Sequence, residues 1–493
     1  MGKFYVYTCA AFAAIGGILF GYDIGVISGV LDSPAFNQIF GQEGKISDVT
    51  AGVIVSILTI GCFLGSLISG WSADYLGRKQ SITLGSLVFI LGAGLQTGAN
   101  NIGTLYAGRF IAGLAIGVLS TVVPMYQSEI APNELRGRLV SLQQWAITWG
   151  ILISFLINYG CAFGSGDPMW RLPLGLQIIP AFILGVGSLS MPNSPRWLLE
   201  KGFEDKAYLT LAKLRDDGTM DSSKAIEEFN LIQQTINEER RVQVSSYKSL
   251  FGRRYRRRVL LGILIQAFQQ LTGINSIMYY APKIFDQAGL HGQQAKLLAT
   301  AINGIVNVVA TIPAILFVDK WGRRQTLISG AFIMGASMMI IGILMGVYST
   351  KTYDDQGVVQ VSMFNNGASY AVIVFIYVFV AGFAFSWGPV AWIYNSEIFP
   401  LTIRSKAISI ATASNWLCNY IIGQVSPILI NRITFGIYII FAAFCLIMLV
   451  SVYFFFPETK GFSLEEIESV FNNKVSRKFT LSSRNNNTYQ EMK

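Results

Sequence analysis

Charge is scarce in this chain. Only 13% of its 493 residues are Asp, Glu, Lys or Arg, about half the roughly 25% of a soluble domain. Hydrophobic residues make up 52%, and the mean hydropathy is +0.48. So little polar surface cannot cover that apolar mass in water, which excludes a soluble enzyme and a disordered protein. Histidine is nearly absent: His291 has no cluster to join and reads as a solvated loop residue, so a triad built on it lacks support. The five cysteines (Cys9, Cys62, Cys161, Cys418, Cys445) fall in or beside apolar runs without a CxxC pair, which argues against a disulfide scaffold, a metal site or a redox site. A GxxxxGK[ST] nucleotide loop is missing too. Glycine is plentiful, at 49 residues, as in closely packed membrane helices.

What is present is a series of apolar runs, each about the 20 residues that cross a bilayer. Twelve are legible: 5–30, 50–72, 80–99, 104–126, 139–163, 172–190, 258–282, 297–318, 326–348, 369–393, 404–428 and 433–456. The first follows Lys3 but is too long for a signal peptide and contains Asp23, so it reads as a retained helix. Counting basic residues between the runs puts 30 on the side of the N-terminus and 6 on the other, with Arg109 inside a run. That asymmetry places both termini in the cytoplasm. It also accounts for the net charge of +9 without nucleic acid.

The expected organisation is all-α and polytopic. Residues 1–190 form one six-helix half and 258–456 the other. Residues 191–257 form a charged cytoplasmic linker of amphipathic helices, with Ile226, Phe229, Ile232 and Ile236 at helical spacing, and 457–493 a polar tail. The Arg253–Arg258 cluster reads as a topogenic anchor beside anionic headgroups. The sequon Asn486-Asn487-Thr488 falls in the cytoplasmic tail, where it would not be glycosylated.

The halves repeat each other. Asp74-x-x-Gly77-Arg78-Lys79 returns as Asp319-x-x-Gly322-Arg323-Arg324. Ser128-Glu129-Ile130-x-Pro132 with Arg136 returns as Ser396-Glu397-Ile398-x-Pro400 with Arg404. Pro192-x-Ser194-Pro195-Arg196 has a looser echo in Pro457-Glu458-Thr459-Lys460. The repeats keep their order, so the halves are parallel, an arrangement that puts a substrate site at the midplane between them. All these motifs lie on the cytoplasmic side. Arg136, Arg404, Glu129 and Glu397 are expected to pair across helix ends at the seam between the halves and, with Asp74, Arg78, Asp319 and Arg323, to latch one conformation. The plainer reading is positive-inside topology alone.

On these motifs the chain resembles the sugar porter family of the major facilitator superfamily, over nearly its whole length to about residue 470. Within it, the chain looks most like fungal and plant monosaccharide/proton symporters. The resemblance implies the major facilitator fold, with 12 transmembrane helices in two parallel six-helix halves. It implies a monosaccharide (hexose, or xylose) and a proton as partners, with no enzymatic activity, no cofactor, no nucleic acid and no obligate protein partner. The lipid bilayer is the surroundings, with the plasma membrane as the default location.

Two charges lie deep in apolar runs, Asp23 and Arg109. Each alone costs several kcal/mol in hydrocarbon, so such residues are functional hypotheses, and pairing lowers the cost. A static structural pair is the alternative. Burial disfavours the carboxylate and the guanidinium favours it, a balance an acidic exterior can tip. By resemblance, Phe20-Gly21-Tyr22-Asp23 carries the proton-binding acid and Arg109 is its partner. One charge across 100 mV is worth about 2.3 kcal/mol and one pH unit about 1.4. Together they allow roughly 500-fold accumulation of a neutral solute.

A polyhydroxylated ligand needs amides that donate and accept, and aromatic walls. The seventh run supplies Gln269, Gln270, Asn275, Tyr279 and Tyr280, with a break expected near Gly273. Gln144, Asn307, Trp392 and Asn415 come from other runs. A lone amide is more often packing glue. The resemblance implies sugar contacts for Gln144, Gln269, Gln270, Asn275, Asn307, Trp392 and Asn415, and an apolar wall for Phe20 and Ile24. It implies an external gate for Tyr279 and Tyr280. Ser386-Trp387-Gly388-Pro389 is an expected hinge. A facilitative uniporter and a non-transporting sugar sensor are the competing readings. The short tail disfavours the sensor.

Overall fold

The structure is a computed structural model that describes residues 2–41, 44–132, 135–215, 223–240, 247–253, 255–353, 359–400, 403–461 and 471. Of the tail, only 457–461 and 471 are among these residues; the rest, with the sequon, lies outside them.

The first half opens with Gly2–Ala13 (α1) and Ile15–Leu31 (α2), one crossing interrupted at Ala14, and a short helix Pro34–Phe40 (α3). Asp48–Tyr75 (α4), Arg78–Thr97 (α5), Ile102–Ile130 (α6) and Arg136–Cys161 (α7) follow. Pro168–Leu176 (α8) and Ile178–Ser188 (α9) together make the sixth crossing. The linker holds Pro195–Glu200 (α10), Glu204–Arg215 (α11), Ser223–Arg240 (α12) and a 3-10 turn at Tyr247–Phe251. The second half begins with a crossing in three pieces, Arg256–Leu271 (α13), Ile274–Tyr279 (α14) and Ala281–Gln287 (α15). Gln293–Trp321 (α16), Arg323–Tyr348 (α17), Asn366–Phe385 (α18), Trp387–Glu397 (α19), Arg404–Arg432 (α20) and Gly436–Phe455 (α21) complete it. A two-stranded antiparallel hairpin, Ser349–Tyr353 (β1) with Val359–Met363 (β2), joins α17 to α18. The hairpin was not expected. It lies in a connection outside the apolar runs, with Val361 buried in the core and Met363 packed against it.

Ten of the crossings are long and apolar enough to span a bilayer by length and composition. The other two are the seventh and the eleventh, for different reasons. The seventh is broken at Gly273, whose φ of +87° an L side chain rarely adopts. The eleventh, α20, is continuous but carries Ser405, Ser409, Thr412, Asn415 and Asn419, all buried. Its polar face meets other helices rather than lipid, so its low hydropathy reflects buried polar packing rather than a missing span. The fold is therefore the expected all-α arrangement of twelve crossings, with helices inside the first half drawn together at glycines. A Cβ on Gly21 would stand 1.9 Å from the Ile147 carbonyl oxygen, so α2 and α7 touch backbone to backbone. Gly113 and Gly117 of α6 meet the Leu58 and Cys62 carbonyls of α4 in the same way, at 2.1 and 2.2 Å. Gly16 lets α2 approach α6 as well, where a Cβ would stand 3.0 Å from Val123 Cγ2, and Asp23 of α2 lies beside Arg109 of α6. Large apolar side chains such as Leu64, Ile68, Leu87 and Leu91 point outward, where lipid covers them.

The linker has its own small core of Trp197, Leu198, Leu211, Ile232 and Ile236. Ile226 departs from the expected stripe: it is exposed, and Ala225 is buried instead. Arg258 also departs from its expected place at the headgroups. It is buried, and its guanidinium lies over the Phe471 ring at 4.7 Å. Arg215 docks the linker on the first half. It pairs with Glu228 at 2.6 and 2.8 Å and donates to the Ile130 and Ala131 carbonyls at 2.9 and 3.3 Å. Those carbonyls end α6 and have no partner within the helix.

Candidate functional site: a central cavity between two closed faces

The break at Gly273 aims α13 and α14 at one point between the halves. Gln269, Gln270, Asn275, Gln144, Asn307, Trp392, Phe20 and Ile24 all line one cavity there. Phe383, Ile147, Ile151, Ile274 and Met278 complete its wall. These five were missed because an apolar residue inside an apolar run carries no distinguishing signal. The free volume is about 30 Å³, room for little more than one water molecule. The site is collapsed, and a sugar needs the walls to part.

Asn415 is placed one layer back. Its Nδ2 donates to the Gln266 and Gln269 side-chain oxygens at 2.8 and 2.7 Å. Gln270 Nε2 donates to Asn415 Oδ1 at 2.8 Å, and Asn275 Nδ2 donates to Gln270 Oε1 at 2.7 Å. Gln269 Nε2 also reaches the Trp387 and Gly388 carbonyls, at 3.0 and 2.9 Å. These carbonyls open α19, just beyond the break at Ser386. The amides thus form one network that ties α13, α14, α19 and α20 together and fixes each amide's orientation. Asn307 is the exception: its buried Oδ1 has no hydrogen-bond partner, so an acceptor stands free at the cavity wall.

Phe20 crosses the seam between the halves. Its ring centroid lies 4.7 Å from Trp416 and 6.5 Å from Trp392. Asp23 follows Phe20 by three residues, close to one helical turn, on the same buried helix. Arg109 Nη2 lies 3.6 Å from Asp23 Oδ2, with both side chains 1% exposed. The guanidinium is held elsewhere, by Nε to the Ile54 carbonyl at 2.5 Å and Nη1 to Gln96 Oε1 at 3.5 Å. Neither carboxylate oxygen of Asp23 has a hydrogen bond. The pair is close enough for attraction and too loose for a bond.

On the linker face the pairing differs from the expectation. Glu129 takes Arg78 at 2.8 Å and Glu397 takes Arg323 at 2.7 Å, each inside its own half. Asp319 also holds Arg323, at 3.0 Å. Arg404 instead turns back, donating Nε and Nη2 to the Phe399 carbonyl at 3.2 and 3.1 Å. Arg136 is buried at the start of α7. The reason is packing: α5 lies along α6 and puts Arg78 beside Glu129, whereas Arg136 and Arg404 begin the helices after the turns. The halves meet here nonetheless. A Cβ on Gly137 would stand 2.1 Å from Asp319 Oδ1, and Arg404 acts electrostatically on Glu129. Asp74 accepts from Trp197 Nε1 through its backbone carbonyl at 3.0 Å and acts electrostatically on Arg78. Glu458 accepts backbone N–H groups from Arg323 and Arg324 at 2.9 and 3.0 Å. It thereby caps the α17 N-terminus.

On the opposite face Tyr279 and Tyr280 cover the cavity. Tyr279 Oη donates to Asn419 Oδ1 at 3.2 Å and Tyr280 Oη to the Gly423 carbonyl at 2.7 Å. Above them lies a vestibule of about 350 Å³. The site is thus shut on both sides, with the larger space on the tyrosine side. A central site between two parallel helical halves, closable from either face, defines a membrane transporter.

Residues 9–471 match the family described as "Sugar (and other) transporter". The MFS glucose transporter mfs1 of Aspergillus flavus is 38% identical over 484 residues, covering 96% of this chain and 90% of the relative. Sugar carrier protein C of Ricinus communis is 36% identical, covering 95% and 90%. Among solved structures, the proton:xylose symporter XylE bound to 6-bromo-6-deoxy-D-glucose superposes with a TM-score of 0.82 at 29% identity, covering 96% of this chain and 100% of that one. XylE of E. coli in its inward-open conformation, at 28% identity and covering 94% and 99%, scores 0.69. The chain belongs to the sugar transporter family of the major facilitator superfamily. It is a multi-pass membrane transporter of sugars and not an enzyme.

Proposed function

We propose that this transporter imports a monosaccharide together with a proton, by alternating access, with Asp23 as the proton site. The observation that carries the reading is the Asp23 carboxylate: buried, without a hydrogen bond, and 3.6 Å from Arg109. A carboxylate bonded on both oxygens would be a structural brace. This one is free to take a proton. Protonation cancels its attraction to Arg109, which stays anchored on Ile54 and Gln96, and α2 is released from α6. Phe20 and Ile24 move with α2, so the cavity wall responds to the proton. Gln144, Gln269, Gln270, Asn275, Asn307 and Trp392 then meet the sugar, with Asn415 holding Gln269 and Gln270 in place.

The names of the relatives support a hexose such as glucose, and XylE is a proton:xylose symporter. The linker face, which carries most of the basic residues, is read as cytoplasmic and the vestibule as exterior. In this reading residues 1–190 and 258–456 are the halves that rock, the 191–257 linker and the 457–493 tail sit in the cytoplasm, and the membrane is the plasma membrane. The test is uptake of labelled glucose in cells lacking their own hexose transporters, at acidic and neutral external pH, with and without a protonophore. Accumulation above the external concentration that collapses with the protonophore, and is lost in Asp23→Asn, supports the reading. Uptake that only equilibrates and ignores pH overturns proton coupling and leaves a uniporter. No uptake of any sugar or polyol by correctly located protein would point to a sensor.

A further inference from the structure

The far face, opposite the linker, carries charges that no repeat motif announces. Asp48 begins α4 in the first half, and Lys283 lies in α15 in the second, with Nζ 2.8 Å from Asp48 Oδ1. Asn431, near the end of α20, donates to the other Asp48 oxygen. One carboxylate of the first half is therefore gripped by two elements of the second. Lys283 follows Tyr280 by three residues, with Pro282 between them. The segment that carries the two tyrosines is thus tethered by hydroxyl bonds to α20 below and by the ion pair to α4 above. Asp48, Lys283, Tyr279 and Tyr280 share the wall of the same vestibule.

Two physical arguments give this pair a task. First, it crosses the seam, whereas the linker-face pairs Arg78–Glu129 and Arg323–Glu397 each lie inside one half. Rocking the halves apart can leave those intact, but it must break Asp48–Lys283. Second, the side chains are 34% and 37% exposed. A pair that wet is weak and screened by salt, which suits a contact broken in every cycle. A buried pair would be costly to part.

We propose that Asp48 and Lys283, backed by Asn431, form an ionic latch that positions α14–α15 and holds Tyr279 and Tyr280 closed over the central cavity. They are positioning residues and do not touch the sugar. The proposal rests on alternating access across this cavity and not on proton coupling.

The test places a reporter, Ala51→Cys, on the vestibule wall and follows its labelling by a membrane-impermeant maleimide on cells. The same chain without the reporter supplies the background. Asp48→Asn and Lys283→Gln should each speed labelling several-fold, as more carriers stand open outward. In uptake, both should lower the external KM and the maximal rate together, which a merely structural defect would not do. The exchanged pair, Asp48→Lys with Lys283→Asp, should return labelling and KM toward the parent values. Raised external salt should speed labelling of the reporter chain more than that of the single variants, in which the Lys296–Asp32 pair still crosses the vestibule seam at 3.5 Å. Labelling of the single variants at the parent rate, or faster labelling of the exchanged pair than of either single variant, would overturn the latch. Should the variants fail to reach the surface, the salt response of the reporter chain alone decides, and its absence overturns the latch. Labelling is read without sugar or a proton gradient. A latch that responds beside uptake that ignores pH would therefore strike only the proton reading.

Discussion

The two halves repeat each other in sequence and divide the chemistry between them. The first half brings ionisable groups to the centre: Asp23 and Arg109, both buried and loosely paired. The second brings amides, with Gln266, Gln269, Gln270, Asn275 and Asn415 bonded into one network. A charge pair without direct hydrogen bonds can change state when one proton arrives. An amide network with most of its bonds made resists change and keeps its donors aimed. The proton coupling proposed above needs both behaviours. Here they are kept on opposite sides of the seam, with Phe20 reaching from the first half into the Trp392 and Trp416 rings of the second.

The comparison can be broken first on the charged side. Asp23→Asn keeps the shape and removes the proton. Concentrative uptake should vanish, with internal sugar reaching only the external level, while exchange of labelled for unlabelled sugar across the membrane survives. Measured accumulation ratios decide this. On the amide side, Gln270→Ala removes the partner of both Asn415 and Asn275. Leaving buried amides unpaired costs about 1–3 kcal/mol, so the KM for sugar should rise roughly 10- to 100-fold. Accumulation should persist at saturating sugar. If Gln270→Ala abolished proton dependence as well, the division of labour would fail.

A smaller effect tests the linker-face asymmetry. Glu458 accepts four backbone N–H groups, from Arg323, Arg324, Thr459 and Lys460. Asn193 is its counterpart in the first-half echo, and its buried Oδ1 has no partner. The second-half motif is therefore the firmer one. Glu458→Ala should lower the thermal unfolding midpoint of the purified protein, whereas Asn193→Ala should leave it nearly unchanged.

The smallest effect concerns Asp32, which caps α2 at the vestibule. Burial pushes its carboxyl above the usual carboxylate range. Lys296 of α16, at 3.5 Å, pulls it back, and Asp286 of α15 pushes it further up. Lys45, Asp48 and Lys283 line the same vestibule, and His291 lies 3.7 Å from Asp286. The closed vestibule thus binds a proton at Asp32 more tightly than an open, solvated one would. Lowering external pH toward that raised range should favour closure. Labelling of the Ala51→Cys reporter, taken relative to the same reporter in Asp32→Asn so that the thiol's own titration cancels, should fall modestly as the exterior is acidified.

Much of this was legible beforehand because the bilayer simplifies the code. A lone Asp or Arg in an apolar run stands out, and so do a cluster of amides around a glycine and a motif that occurs twice. The break at Gly273 was read from the amide spacing and the hinge at Ser386 from Gly388-Pro389, whereas the gate role of Tyr279 and Tyr280 came from the resemblance alone. Phe383 and Met278 were not legible, since an apolar residue in an apolar run looks like lipid contact. Asp48, Lys283 and Arg215 were hidden for the opposite reason: a charge in a polar loop or linker looks solvated.

The sequence by itself determined the number and order of the crossings, their likeness in pairs and the residue types offered to the centre. Burying apolar surface in lipid and satisfying the backbone within helices are local demands, written in composition and period. Only the tertiary structure decided which carboxylate met which cation. Glu129 took Arg78 of its own half, rather than a partner across the seam, because α5 packs along α6. Asn415 stepped behind Gln269 and Gln270, and Lys283 crossed the seam to Asp48. Such choices depend on distances of a few ångströms between segments far apart in the chain, and spacing along the chain does not encode them.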